Sequence, residues 1–203
     1  MSDDILIDFE NPYLQWVFVN QFLPHHEGQL QDIINLIPKW IERYQESEII
    51  EAKEINKQPR PLAVVIGIDE IILCRFYRSS WNEFKIYDYF PPTIAPYFPL
   101  YHRALELLQT LKQSNVEVYF TTRMTNVLEN FRYLKLDDLF STSYLESHLI
   151  YIPSNATWRY KEEKRKEIFE KNKIFLNVGD QISDLGNYGS IQYLIYNPFY
   201  QIT

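Results

Sequence analysis

The chain has 203 residues, 46% of them hydrophobic and 23% charged, which suits one packed domain with an appendage and excludes a disordered protein. Its net charge of -7 excludes a general nucleic-acid binder, because such affinity rests on cationic side chains meeting phosphates. Cys74 is the single cysteine, so no intrachain disulfide forms; the acidic opening, broken by Asp8, Glu10, Asn11 and Pro12, reads as neither signal peptide nor membrane span. The expected location is the cytoplasm, its own or that of a host cell.

Residues 12–23 read as a short buried helix opened by Pro12. Between 29 and 57 the apolar groups Leu30, Ile33, Ile34, Ile37, Trp40, Ile41 and Tyr44 recur at helical spacing, and Pro38 predicts a kink or division. Lys53 to Arg60 is charged and ends in PRP, a linker; residues 1–60 are therefore expected as an N-terminal helical segment packed on a core of residues 61–203. That core opens with LAVVIGI (62–68), a continuous β-branched run typical of a strand buried on both faces. Residues 75–98 are aromatic and proline-rich without a clean period, as in a small insertion over the sheet edge. A helix over about 99–113 shows Ala104, Leu105, Leu108 and Leu111 on one side, and VEVYFTT (116–122) is a second strand. Thr125 is placed to cap a helix running to about 136. SHLIYIP (147–153) is a third strand, followed by the charged helix TWRYKEEKRKEIFEKN. KIFLNVGD (173–180) and IQYLIYN (191–197) complete five strands. The alternation predicts an α/β fold, mainly parallel, with helices on both faces.

In such sheets ligands sit beyond the carboxyl ends of the strands. Those ends carry Gly67-Ile68-Asp69-Glu70, Thr121-Thr122-Arg123, Tyr160-Lys161 at the opening of the charged helix, and Gly179-Asp180-Gln181-Ile182-Ser183-Asp184. Acids, hydroxyls and a lysine on one edge suit a divalent cation with a phosphoryl group. Carboxylate oxygens hold Mg²⁺, while hydroxyl, amide and ammonium groups neutralise phosphoryl oxygens.

In order and spacing these segments resemble the acid-phosphatase branch of the haloacid-dehalogenase-like (HAD) superfamily, a Rossmann-like α/β fold. VVIGIDEIIL stands where the family has Asp-x-Asp-x-Thr, VYFTTR resembles its second motif, YKEEKRKEI its third and LNVGDQISDLGN its fourth. The ending IYNPFYQI is similar to that of the branch, which includes bacterial acid phosphatases and plant vegetative storage proteins. The resemblance implies Asp69 as acid, Thr121, Thr122 and Lys161 as phosphate-binding groups, and Asp69, Asp180 and Asp184 around Mg²⁺, with Asp184 equally readable as a structural partner. Asp69, Thr121 and Lys161 occupy the inherited catalytic positions. The nucleophile position holds Gly67, which has no side chain, and the expected threonine is Ile71. The missing carboxylate would also have held the metal, so Mg²⁺ affinity is expected to be weakened.

The expected function is a pseudophosphatase that binds a phosphorylated small molecule or a protein partner, a homodimer among the options, with neither nucleic acid nor membrane involved. An active Mg²⁺-dependent phosphomonoesterase working through Asp69 or water, and a storage or structural protein without ligand, are the alternatives. Several residues have plainer readings. His25-His26-Glu27 invites a metal, but adjacent histidines in a strand or loop point apart; His102 and His148 read as structural, and Cys74 as a small buried hydrophobe. The aromatics of 75–98, with Trp16, Phe18, Phe22 and Trp40, are candidates for a partner surface.

Overall fold

A computed structural model describes residues 18–74, 100–153 and 155–197. The expected insertion over 75–98 with its aromatics, and residues 12–17 of the expected helix with Trp16, lie outside the described residues; Phe22, a candidate for a partner surface, is instead buried in the core. The described chain opens with a π-helical turn, Phe18–Phe22, that leads into α1, Leu23–Glu54. Pro24 sits in the first turn, where its missing N–H costs nothing.

The expected break at Pro38 does not occur: α1 is continuous, with Pro38 inside it. Leu30, Ile33, Ile34, Ile37 and Ile41 form one buried stripe across that point. Burial of the stripe on the sheet outweighs the local loss of one backbone hydrogen bond. The helix closes at Glu54, with Asn56 in a left-handed conformation at φ 51°.

β1 (Leu62–Gly67) is buried along its whole length, as its unbroken β-branched run predicts. α2 (His102–Gln113), β2 (Glu117–Thr122) and α3 (Val127–Tyr133) follow. α3 is preceded by Asn126, not capped by Thr125, and ends short of 136; a 3₁₀ turn at Leu136–Asp138 takes up the rest after Lys135 at φ 56°. A helix absent from the sequence reading, α4 (Thr142–His148), is capped by Ser141, whose hydroxyl accepts the Tyr144 N–H. It absorbs the first residues of the expected third strand, so β3 is only Leu149–Tyr151. α5 (Trp158–Phe169), β4 (Lys173–Gly179), a 3₁₀ turn (Ile182–Asp184) and β5 (Ile191–Leu194) complete the order. β5 is shorter than expected, although Ile195 still donates its N–H to the Gly179 carbonyl.

The five strands are all parallel, in the order β3-β2-β1-β4-β5. The chain winds outward from β1 through β2 to β3, then crosses to the other side of β1 for β4 and β5. The order therefore reverses between β1 and β4, and a crevice opens beyond their carboxyl ends. Leu62, Val64 and Ile66 point into the larger core beneath α1, α2 and α3, while Ala63 and Val65 point to a smaller one with Ile168 of α5. α1 thus shares its core with the sheet: Phe22 is buried there and Trp40 packs against it. Among the described residues no helix is long and apolar enough to cross a membrane.

Candidate functional site

The switch point is lined by Gly67, Asp69, Thr121, Thr122, Arg123, Ile152, Lys161, Asp180, Gln181 and Asp184. All the residues expected from the sequence meet in this one cleft. Arg123, Ile152 and Gln181 belong to it as well, and sequence reasoning did not assign them; Gln181 lies inside the GDQxSD stretch and Arg123 directly after the paired threonines, which is the signal they offered.

Past Gly67 the chain makes a tight turn in which Ile72 and Leu73 both donate to the Ile68 carbonyl. The turn carries Asp69 over the end of β2. There its Oδ2 accepts the Thr122 hydroxyl at 3.0 Å and the Arg123 N–H at 3.1 Å. Thr122 Oγ1 accepts the Met124 N–H at 2.9 Å, so this hydroxyl is committed to holding the loop and Asp69. Thr121 lines the cleft beside it.

The opposite wall is a tighter network. Lys161, projecting from the first turns of α5, places Nζ 2.5 Å from Asp184 Oδ1 and 3.0 Å from Ser183 Oγ, and both charged side chains are buried. Asp184 Oδ2 accepts the Gln181 N–H at 3.2 Å, closing a reciprocal cap on the 3₁₀ turn. Asp184 is thus engaged through both oxygens, which makes it the positioner of Lys161. Arg165, also buried, donates to the Ser183 carbonyl from below. Asp180 Oδ2 accepts from the side-chain amides of Gln181 at 2.9 Å and Asn197 at 2.7 Å. Burial, and after it the neighbouring Asp184 charge, push the Asp180 carboxyl up to about 6, with Asp69 adding in the same direction against those two hydrogen bonds.

The two glycines of the cleft differ. A Cβ on Gly179 would collide with the side chain of Asp184, so that position requires glycine. A Cβ on Gly67 would meet Ile71 Cγ1 at 3.7 Å, Gly179 Cα at 3.8 Å and the Val178 carbonyl at 3.8 Å, all ordinary contacts, and its φ is not left-handed. The backbone does not demand a glycine at 67. Ile71 lies fully buried beside it.

His25, His26 and Glu27 lie on a helix, not in a strand or loop, and they form no metal site. His26 is buried with its Nε2–H on the Glu70 carbonyl, and Glu27 accepts the His102 and Arg103 N–H groups. His148 pairs with Glu117, and Cys74 is buried.

A sequence model of HAD superfamily subfamily IIIB (acid phosphatase) matches residues 37–203. The chain belongs to that family. Similar solved structures include the class C acid phosphatase from Bacillus anthracis, at 15% identity with 87% of this chain and 86% of that one covered and a TM-score of 0.50. The same enzyme's structure with tungstate bound gives 14% identity, 93% and 83% coverage and a TM-score of 0.55. At these identities the likeness is one of fold. No curated protein matches the chain.

HAD phosphatases generally use Mg²⁺, and the residues present can be tested against that ion. Asp69 and Asp180 reach the cleft. Gly67 offers no side-chain oxygen, however, and Asp184 is taken up by Lys161 and the Gln181 N–H. Among the described residues no group of three or more acidic, histidine or cysteine side chains is placed to hold a metal. The donor set falls short of a protein-held Mg²⁺ site.

Proposed function

We propose that this chain is a pseudophosphatase, which binds a phosphorylated small molecule or a phosphorylated protein in the inherited cleft without hydrolysing it. One observation carries the reading: Gly67 stands at the nucleophile position while Thr121, Lys161 and Asp180 line the same cleft. Hydrolysis in this family's manner needs a carboxylate at 67 to attack phosphorus. Binding needs only donors, and Lys161 Nζ, the Thr121 hydroxyl and the Arg123 side chain supply them. The tungstate in one of the similar structures is a tetrahedral oxyanion of the phosphate type, which supports an oxyanion as the bound group.

Asp69 is a poor substitute nucleophile. Its Oδ2 already accepts two hydrogen bonds, from Thr122 and Arg123, which hold the charge that an attack would spend. A storage role without ligand is disfavoured by the buried Lys161–Asp184 pair, because taking two charges out of water is costly and packing alone does not require it. Ligand binding is assigned to the chain's own cations and hydroxyls and is expected to proceed without added Mg²⁺.

The test is a thermal shift with inorganic phosphate and a panel of phosphomonoesters, with and without Mg²⁺. Specific binding raises the melting temperature by mass action, by an amount set by about RT ln(1 + [L]/Kd). A concentration-dependent rise that persists in a chelator supports the reading, and a flat response to every phosphorylated compound overturns it.

A further inference from the structure

The start of α1 lies ahead of residue 37, where the family match begins, yet its polar side chains reach the sheet edge that carries the cleft. His26 is fully buried and donates Nε2–H to the Glu70 carbonyl at 2.8 Å. Its ring stacks on Tyr101 with centroids 3.9 Å apart. Tyr101 in turn donates its hydroxyl to the Glu70 carboxylate at 3.1 Å, and the Glu70 N–H donates to the Leu73 carbonyl at 3.0 Å. Glu27, the next residue of α1, accepts the N–H groups of His102 and Arg103 at 2.8 Å each, tying down the start of α2. Gln29 donates to the Leu194 carbonyl and accepts the Tyr196 N–H, tying down the end of β5. The first turns of α1 therefore tie down three segments: the turn after β1 that carries Asp69, the start of α2 and the end of β5.

Glu70 has φ 60°, a left-handed conformation that side chains other than glycine adopt at a cost. Such a conformation persists where surrounding contacts over-determine it, and here its amide, carbonyl and carboxylate are all held. It directly follows Asp69. Rotation of the Glu70 backbone toward an ordinary conformation would swing Asp69 off Thr122 and Arg123. A histidine needed only for packing would be satisfied by its stack on Tyr101; the added bond to a strained carbonyl next to a cleft residue is what packing does not explain.

We propose that His26 is a positioning residue for the cleft: its bond to the Glu70 carbonyl fixes the left-handed turn that aims Asp69. The consequence for ligand binding rests on the reading of the cleft as an oxyanion site, whereas the positioning itself does not.

His26→Gln and His26→Met separate the donor from the packing, since both lose the ring stack and have similar length, but only glutamine keeps an N–H to donate. Two readouts are taken. The first is hydrogen exchange of the Arg123 amide in the ligand-free protein, an amide that Asp69 Oδ2 accepts from at 3.1 Å. The second is affinity for inorganic phosphate by calorimetry. Loss of one net hydrogen bond predicts about tenfold faster exchange at Arg123 in His26→Met than in His26→Gln, with the amides of β1, β2 and β4 exchanging alike in the two. Phosphate affinity is expected to fall about tenfold in His26→Met and to be largely kept in His26→Gln. Equal Arg123 exchange in the two variants overturns the proposal. If wild type binds no phosphate, the ligand reading fails and the Arg123 exchange alone still decides the positioning. Should neither variant fold, Tyr101→Phe, which removes the hydroxyl bond to Glu70, takes the same Arg123 readout: faster exchange supports the held turn and unchanged exchange overturns it.

Discussion

The two walls of the cleft differ in what their side chains offer. At the end of β1 and in the turn after it, Gly67 and Ile71 present no polar side-chain atom, and the buried Ile71 stands where the resemblance implies a threonine. On the other wall, Lys161 of α5, Asp180, Gln181, Ser183 and Asp184 after β4, and Asn197 after β5 are linked by hydrogen bonds, beside a glycine that tolerates no Cβ. The first wall supplies the attacking group in this family, and the second holds what is attacked. The strands beneath the two walls are paired, but the side-chain hydrogen bonds of Lys161, Asp184 and Asp180 run to Ser183, Gln181 and Asn197, so a change of side chain at 67 or 71 leaves that network its own partners. The difference is what a shift from turnover to binding would leave behind.

The largest expected effect comes from rebuilding the depleted wall. Gly67→Asp combined with Ile71→Thr should raise phosphomonoester turnover over wild type by on the order of 10⁴ or more, since removing the nucleophile from a covalent mechanism costs that much. A Cβ at 67 meets only ordinary contacts, and the position lines the cleft. A folded, phosphate-binding double variant without turnover would show that the intact wall is not catalytically competent.

Breaking the intact wall comes next. Lys161→Met leaves Asp184 buried without its cation and should cost about 3 kcal/mol in urea unfolding, together with the phosphate-induced thermal shift. Lys161→Met with Asp184→Leu should recover part of the stability and none of the binding. Equal stabilities of the single and double variants would mean that the pair is not coupled.

A third effect lies under the depleted wall. Burial holds the His26 pKa down at about 4, against an ordinary 6.5, so His26 is neutral in the fold. The unfolded chain takes up a proton first as pH falls. The stability that His26 contributes is therefore full above about 6.5 and is lost as pH drops toward about 4, by on the order of 3 kcal/mol. Asp180, whose folded pKa is raised, contributes in the opposite sense, but it is common to wild type and His26→Gln. Their stability difference across this range isolates His26, and a pH-independent difference would contradict its neutral burial.

The smallest effects set the two glycines side by side. Gly179→Ala should cost about 2 kcal/mol, because the new methyl drives into Asp184. Gly67→Ala should change stability by no more than about 1 kcal/mol in either direction, because its Cβ meets only ordinary contacts. Similar costs at both positions would erase the distinction between the walls.

Much of this architecture was legible in the sequence. The runs LAVVIGI and KIFLNVGD can be little other than strands buried on both faces, and their ends hold the cleft. The convergence of Asp69, Thr121 and Asp180 followed from parallel order, whereas Lys161 was singled out among the lysines and arginine of its helix by the family resemblance. The continuity of α1 through Pro38 did not, because proline's local cost is visible in the sequence and the tertiary burial that outweighs it is not. α4 escaped because a seven-residue helix carries too little periodicity, leaving only the Ser141 cap as a sign. Asp184 could be placed near the cleft but not oriented; only the fold shows both its oxygens turned to Lys161 and Gln181. The role of His26 rests on a contact 44 positions away in sequence, with Glu70, and no local pattern announces it.

The most direct measurement of the central claim is hydrolysis of p-nitrophenyl phosphate by the wild-type chain, between about pH 5 and 8 with Mg²⁺ present. The absence of a carboxylate at position 67 predicts a rate indistinguishable from background. Robust turnover that survives Gly67→Ala and disappears in Asp69→Asn would contradict the account and make Asp69 the centre of a different mechanism.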